Sequence, residues 1–128
     1  MFQVGIKNRF RAGHFLRGDF GEETRPHEHD YVLEWICSTV ALDENGFSVD
    51  IALMEELLAA VADSIQGKLL NDLEFFRDRQ PSVENMARFI HRRLSDALEG
   101  RGYPLPTILQ SEIKIWESET AWASYVFP

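Results

Sequence analysis

Two histidines flank a glutamate in the stretch RPHEHDY, residues 25–31, where a polar turn gives way to a run of β-forming residues. Alternate side chains of a strand share a face, so His27 and His29 point one way and Glu28 the other. His14 lies in an earlier alternating run that would form the neighbouring strand, on the same row as Phe10 and Ala12. Three imidazoles from two strands can bind tetrahedral zinc and leave its fourth position open, as catalytic zinc sites do. The spacing alone also fits histidines that cap a polar strand end.

Composition limits the classes of protein to which the chain can belong. Its 128 residues, 45% of them apolar, predict one compact domain over 1–128. The net charge of −8 and the scattered basic residues argue against a nucleic-acid partner. No apolar run approaches the roughly 20 residues that span a bilayer, and MFQVGIKNRF lacks a signal peptide's apolar stretch. We therefore expect a cytoplasmic protein with no membrane segment, in which the single cysteine, Cys37, is an inert core residue.

Periodicity along the chain predicts six elements. Alternating runs at 2–16 and 27–42 predict two strands joined by a long polar loop. Apolar residues at three- and four-residue intervals then predict two amphipathic helices, with Asp50 and Ser82 as their N-caps. Two further strands complete the chain, at about 107–118 and 121–127. The order ββααββ predicts an α+β fold, in which two helices cover one face of a four-stranded antiparallel sheet.

The second helix has a clear apolar stripe. Its members are Met86, Phe89, Ile90, Leu94 and Leu98. The pattern RFIHRRL places His91 on the charged face of this helix, so we expect a surface histidine.

A four-stranded sheet with helices on one face leaves its other face and both edges bare. Pairing of the edges between subunits would cover them, so we expect an oligomer. A monomer with charged edges is the alternative.

Six stretches of the chain resemble the motifs of a known family, in the family's order. They are FRAGHF, HEHDY, FSVDIALMEELL, LLND, PSVENMARFI and IWESETAWASY. The family is that of 6-pyruvoyltetrahydropterin synthase and 6-carboxytetrahydropterin synthase. Because the matches cover nearly the whole chain, the resemblance is far more specific than any single motif.

The resemblance implies a fold, a metal and a substrate class. The fold is the T-fold, or tunnelling fold, with the same ββααββ order, and its sheets assemble into an oligomeric barrel, commonly a hexamer of two trimers. His14, His27 and His29 would bind zinc as the cofactor. A buried glutamate, which corresponds to Glu117, would hold the ring of a pterin, with zinc beside the side chain that is modified.

The position of Glu117 on its strand is a second reason to regard it as a candidate functional residue. It shares a strand face with Ile113 and Ile115, so it is a carboxylate on an otherwise apolar row. Burial of such a group is costly unless it meets hydrogen-bond donors, and the 2-amino and ring N–H groups of a pterin offer a bidentate match. The alternative is a strand-end glutamate in solvent.

The chain departs from the family at the position of the catalytic base. The synthases carry a cysteine four residues before the first histidine of the pair, and this chain carries Glu23. Some members with glutamate there release 6-hydroxymethyldihydropterin from dihydroneopterin triphosphate by cleaving its side chain. Glu23 is therefore the predicted catalytic residue. Otherwise Glu22 and Glu23 are solvated turn residues.

Three other departures concern the surroundings of the site. The aspartate and histidine that relay a proton in active members correspond to Gln66 and Gly67, neither of which can shuttle a proton near neutral pH. Ser82 replaces a threonine and would cap the helix or contact the edge of the pterin. Glu28 replaces the glycine between the two histidines, so its side chain must find room on the outer strand face.

These features lead to three hypotheses of function. The first is a zinc-dependent lyase that cleaves or rearranges the side chain of a dihydropterin, by breaking a carbon–carbon or carbon–oxygen bond. The second is a zinc protein that binds a pterin-like or purine-like ligand and has lost catalysis. The third is a structural zinc oligomer without a ligand, which requires an exposed Glu117. The pathway, whether folate, biopterin or deazapurine, stays open.

Overall fold

The computed structural model describes residues 1–128 and has the predicted ββααββ order. The six elements are β1 Phe2–His14, β2 His27–Thr39, α1 Ile51–Ile65, α2 Val83–Gly100, β3 Gln110–Trp116 and β4 Trp122–Phe127. Short 3-10 turns occur in the connecting segments. The strands form one antiparallel sheet in the order β1-β2-β3-β4. The predicted strands were two to three residues too long at several ends, because those residues already belong to the connecting segments.

The pairing of β1 with β2 has the register on which the metal prediction depends. His14 lies opposite His27, and Ala12 lies opposite His29. The three histidines therefore emerge on the same face of the sheet, at the end of β1 and the start of β2.

Both predicted helix caps are confirmed. The Asp50 side chain accepts a hydrogen bond from the Leu53 amide at 3.1 Å, and the Ser82 hydroxyl accepts one from the Asn85 amide at 3.2 Å. Each bond satisfies an amide of the first helical turn that has no partner within the helix. Ser82 thus has a structural role at the start of α2, which fixes this helix end next to Pro81 and the histidines.

The core lies between the helices and one face of the sheet, here called the helix face. Tyr31, Leu33, Trp35 and Cys37 alternate along β2 on this face and are fully buried or nearly so. All five residues of the predicted α2 stripe are buried as well. Burial raises the pKa of the Cys37 thiol to about 12, so the thiolate is absent near neutral pH, and the prediction of an inert core cysteine is confirmed.

The prediction of a surface position for His91 was wrong. The residue is only 8% exposed, and its ring centroid lies 5.3 Å from that of Tyr125 and 5.0 Å from that of Phe127. His91 precedes Leu94 and Leu98 by three and seven residues, so it lies at the edge of the apolar stripe. Strand β4 covers this edge, which the charged neighbours of His91 in the sequence did not reveal.

Burial of His91 predicts an acid-sensitive contribution to stability. Burial lowers its pKa from the ordinary value of 6.5, so the folded chain binds this proton less readily than the unfolded chain. The resulting stability is full above pH 6.5 and is lost as the pH falls from 6.5 towards the lowered pKa. We expect the melting temperature of His91→Gln to fall less than that of the wild type when the pH is lowered from 7.5 to 5.5. Equal falls in the melting temperatures of the two proteins, measured by thermal unfolding, would contradict this prediction. The titration of His14 contributes equally to both proteins and so cancels in the comparison.

The opposite face of the sheet carries no helix and is rich in ion pairs. Arg11 Nε lies 2.6 Å from Glu28 Oε2, Arg11 Nη1 lies 2.9 Å from Asp30 Oδ2, and Lys7 Nζ lies 3.3 Å from Glu34 Oε1. Glu28 therefore finds room on this outer face, as predicted. β1 and β4 are the outer strands of the sheet, and each pairs with another strand of the chain on its inner side only; near the end of β1, the Gly13 amide donates to the Lys68 carbonyl at 2.9 Å. None of the helices has the length and apolarity that crossing a membrane requires.

Candidate active site

The three predicted metal ligands come together on the helix face. Their ring centroids are separated by 4.5 Å for His14 and His27, 4.9 Å for His27 and His29, and 5.4 Å for His14 and His29. One nitrogen from each ring lies within 4.8 Å of the other two. Because β1 and β2 place these residues by their register, the cluster is a product of the regular sheet and not of a loop.

Hydrogen bonds to the backbone orient two of the three rings. His14 Nδ1 lies 2.7 Å from the Pro81 carbonyl oxygen, and His27 Nδ1 lies 2.7 Å from that of Arg25. A neutral imidazole that donates its Nδ1–H to a carbonyl presents a free lone pair on Nε2, as metal-bound histidines do. Burial, the largest cause, lowers the pKa of His14 and so favours this neutral form.

The Nε2 atoms of all three histidines are buried and have no hydrogen-bond partner. Buried polar atoms rarely lack a partner unless a water, an ion or a ligand completes the site. Three imidazole nitrogens within 4.8 Å of one another are a donor set that suits a zinc ion, which binds histidine nitrogens at about 2.0–2.1 Å in tetrahedral sites. The residues present therefore suit the metal that the sequence predicts.

Glu23 lies beside this cluster. Its Oε2 is 3.2 Å from His27 Nε2, but the two atoms lack the alignment of a hydrogen bond. The residue belongs to the short 3-10 turn Gly21–Thr24, and its carbonyl accepts a bond from the Leu16 amide at 2.7 Å. The side chain is 52% exposed, so its carboxylate reaches both the histidines and solvent.

Glu117 comes one residue after the end of β3. Val32 pairs with Trp116, so Glu117 occupies the next position opposite Tyr31. It is partly buried and lines a cavity of about 190 Å³ together with Val83 and Trp122. Glu117 is therefore not the fully exposed strand-end residue that the structural-zinc hypothesis requires.

Tyr31 is a residue of the site that the sequence analysis did not identify. Its side chain is fully buried, and its hydroxyl has no hydrogen-bond partner. Burial first, and then the negative charges of Glu117 and Glu23, raise its pKa well above the ordinary value of 10.0. The alternation in HEHDY was the available signal, because it places Tyr31 two residues after His29 on the same strand face.

The two residues at the relay positions secure the end of β1. Gln66 Oε1 accepts a hydrogen bond from the Arg11 amide at 2.9 Å, and the Gly67 amide donates to the Arg11 carbonyl at 2.7 Å. Gly67 has a φ of +75°, which a residue with a side chain adopts only with strain. Neither residue offers a group that titrates near neutral pH.

A second cavity, of about 490 Å³, lies between α2 and β4 and shares no residue with the histidine cluster. Three arginines, Arg79, Arg88 and Arg92, line it together with His91 and aromatic side chains. It contains no acidic side chain and no cluster of metal ligands. The histidine cluster therefore lies outside this cavity.

Comparisons with known proteins agree with the motifs. The family model described as 6-pyruvoyl tetrahydropterin synthase matches residues 3–127. The 6-carboxy-5,6,7,8-tetrahydropterin synthase of Bacillus subtilis is 28% identical over 132 residues, which cover 97% of this chain and 84% of that protein.

Solved structures of the same family have the same fold. The 6-pyruvoyl tetrahydropterin synthase of Caenorhabditis elegans matches with a TM-score of 0.84 and 21% identity, over 99% of this chain and 96% of that one. A Plasmodium vivax 6-pyruvoyltetrahydropterin synthase matches with a TM-score of 0.81 and 15% identity, over 98% and 97%. That structure is a variant in which a catalytic glutamate is replaced by cysteine. The predicted T-fold is thereby confirmed.

Proposed function

The chain belongs to the 6-pyruvoyl tetrahydropterin synthase family, and we propose that it is a zinc-dependent lyase acting on the side chain of a dihydropterin. Dihydroneopterin or its triphosphate is the proposed substrate. The observation that carries this proposal is the Glu23 carboxylate, 3.2 Å from the Nε2 atom of a histidine in the cluster. The catalytic glutamate of the Plasmodium vivax protein supports carboxylate chemistry on this fold.

His14, His27 and His29 would hold the zinc through their Nε2 atoms, which the Nδ1 bonds of His14 and His27 leave free. When bound, zinc supplies a Lewis acid that polarises oxygen atoms of the substrate.

Glu23 would act as the catalytic base. Its carboxylate takes the proton from a side-chain hydroxyl, the oxygen forms a carbonyl, and the adjacent carbon–carbon bond breaks. The electron pair of that bond passes to the carbon attached to the pterin ring, which then takes a proton. Because one proton is removed and one is returned, a single base suffices. The absence of a relay at Gln66 and Gly67 is compatible with this cleavage.

Glu117 would bind the pterin ring. A carboxylate can accept two parallel hydrogen bonds from the 2-amino and ring N–H groups, and such charge-assisted pairs are strong. The cavity that Glu117 lines is bounded by the start of α2, where Ser82 caps the helix. Ser82 would contact the edge of the ring only in addition to that structural role.

Incubation of the purified zinc protein with dihydroneopterin or its triphosphate tests the proposal. We expect chromatography to show a 6-hydroxymethyldihydropterin and a released carbonyl fragment in equal amounts. Recovery of the pterin unchanged, although bound stoichiometrically, would contradict the lyase.

That outcome would favour the second candidate, a pterin-binding protein without catalysis. The observation in its favour is the bonding of Gln66 and Gly67 to Arg11, which leaves no titratable relay near the site. Both candidates require zinc and Glu117, and they differ in the fate of the ligand.

The proposed assembly is a barrel formed by edge-to-edge pairing, with the site near a subunit interface. The two outer strands, β1 and β4, lie on opposite sides of the sheet, and exposed apolar side chains of β4 include Trp122, Val126 and Phe127. Light scattering should report a mass of about six chains, or about three if trimers do not stack. A stable monomer that binds pterin stoichiometrically would contradict the shared site.

A further inference from the structure

The Tyr31 hydroxyl is a buried polar group for which the fold provides no partner. The side chain is 0% exposed, and its ring stacks on Phe10 with the centroids 5.1 Å apart. These contacts hold the ring and leave the hydroxyl oxygen without a hydrogen bond. Since an unsatisfied buried hydroxyl lowers the stability of the folded chain, its retention needs a reason outside the fold of the free chain.

The surroundings of this hydroxyl point to a ligand. Tyr31 follows His29 by two residues on the helix face, and their ring centroids are 5.5 Å apart. On its other side, Glu117 occupies the next cross-strand position. A tyrosine hydroxyl can both donate and accept a hydrogen bond, so this one can donate to a ligand. Tyr31 thus adjoins His29, a proposed metal ligand, along its strand and Glu117, the proposed pterin anchor, across the sheet.

We propose that Tyr31 is a positioning residue whose hydroxyl donates a hydrogen bond to an oxygen of the pterin's side chain. This inference rests on the proposed function, and it names the residue that directs the side chain. Glu117 holds the ring at one end only, so the ring could pivot about that contact. A second polar contact beyond the ring would keep the side chain directed towards Glu23.

The hydroxyl is enclosed in the free chain, as are the three Nε2 atoms beside it. The turn Gly21–Thr24, which carries Glu23 against His27, contains no buried residue. This turn can therefore move to admit a ligand to the histidines without opening the core.

Two pterins that differ in the side chain test the contact. Neopterin carries hydroxyls on its 6-substituent, and 6-methylpterin carries none. In fluorescence titrations of the zinc-loaded protein, we expect Tyr31→Phe to weaken neopterin binding about fivefold to tenfold, the loss of one hydrogen bond. Binding of 6-methylpterin should stay within about twofold. Equal effects on the two ligands, or none, would overturn the inference. Failure of the wild type to bind either pterin would overturn the proposed function and this inference with it.

A stability measurement separates this role from a structural one. Tyr31→Phe keeps the stack on Phe10 and removes only the unpaired hydroxyl. The ligand-free variant should therefore melt at the same temperature as the wild type or higher, with equal zinc by elemental analysis. A lower melting temperature would show that the hydroxyl supports the fold, and would overturn the proposal. Tyr125→Phe, outside the site, is the matched control and should leave neopterin affinity unchanged.

Discussion

Replacement of His27 by alanine is expected to reduce bound zinc from about one ion per chain to less than about a tenth, because two imidazoles rarely hold the ion. His29→Ala should have the same effect. Loss of an outer partner of a metal ligand already costs about 10–100-fold in affinity, so loss of a ligand should cost more than about a hundredfold. Elemental analysis of the purified variants measures this directly.

The fourth histidine of the chain provides the control. His91 packs against Tyr125 and Phe127, away from the cluster, so His91→Ala should keep its zinc while losing stability. Unchanged zinc in His27→Ala would mean that the three Nε2 atoms do not form the metal site, whatever their geometry.

Loss of zinc should also appear in thermal unfolding. A ligand that binds only the folded chain stabilises it by RT ln(1 + [L]/Kd), about 2.7 kcal/mol when the free metal is a hundredfold above Kd. We therefore expect added zinc to raise the melting temperature of the wild type but not that of His27→Ala. The two proteins should melt at similar temperatures once zinc is removed with a chelator.

The fold was largely predictable because its local signals agree with its packing. The alternation of residue types predicted both strands of the hairpin. The N-caps Asp50 and Ser82 predicted the start of each helix correctly. His91 shows where such signals fail. Its immediate neighbours are charged, and only the packing of β4 on the edge of α2 shows that it is buried. A sequence pattern predicts which face of a helix is apolar. Whether residues at the edge of that face are buried depends on a strand that is distant in the sequence.

The candidate site was predictable to the extent that regular elements form it. The three histidines follow from the register of β1 and β2, which alternation predicts. The proximity of Glu23 to His27 could not be derived from periodicity, because an irregular turn places it through the bond from the Leu16 amide. Tyr31 was missed because an aromatic residue on an apolar strand resembles any core residue until its unpaired hydroxyl is seen.

Glu23→Gln is expected to lower the turnover of dihydroneopterin by about 10²–10⁴-fold, the range that one general base contributes. The amide has nearly the same shape as the carboxylate but cannot take a proton. Zinc content and pterin affinity should therefore stay close to those of the wild type, since the proposed zinc ligands are the three histidines and the proposed anchor of the ring is Glu117. Single-turnover assays with the product separated by chromatography measure the chemical step.

Glu22→Gln is the matched control, because Glu22 belongs to the same turn. Its carboxylate points to Arg25, with 3.9 Å between Oε2 and Nη1, and the side chain is 89% exposed. This variant removes the same charge from the same turn, so it should keep wild-type turnover. Glu23→Asp retains a carboxylate on a shorter arm and should recover part of the rate that Glu23→Gln loses. If Glu23→Gln and Glu22→Gln turned over equally fast, proton transfer would have to be assigned to a group other than Glu23. Parallel loss of zinc and turnover in Glu23→Gln would instead assign the residue to the support of the metal site, because a base that acts only on the substrate leaves the three imidazoles intact.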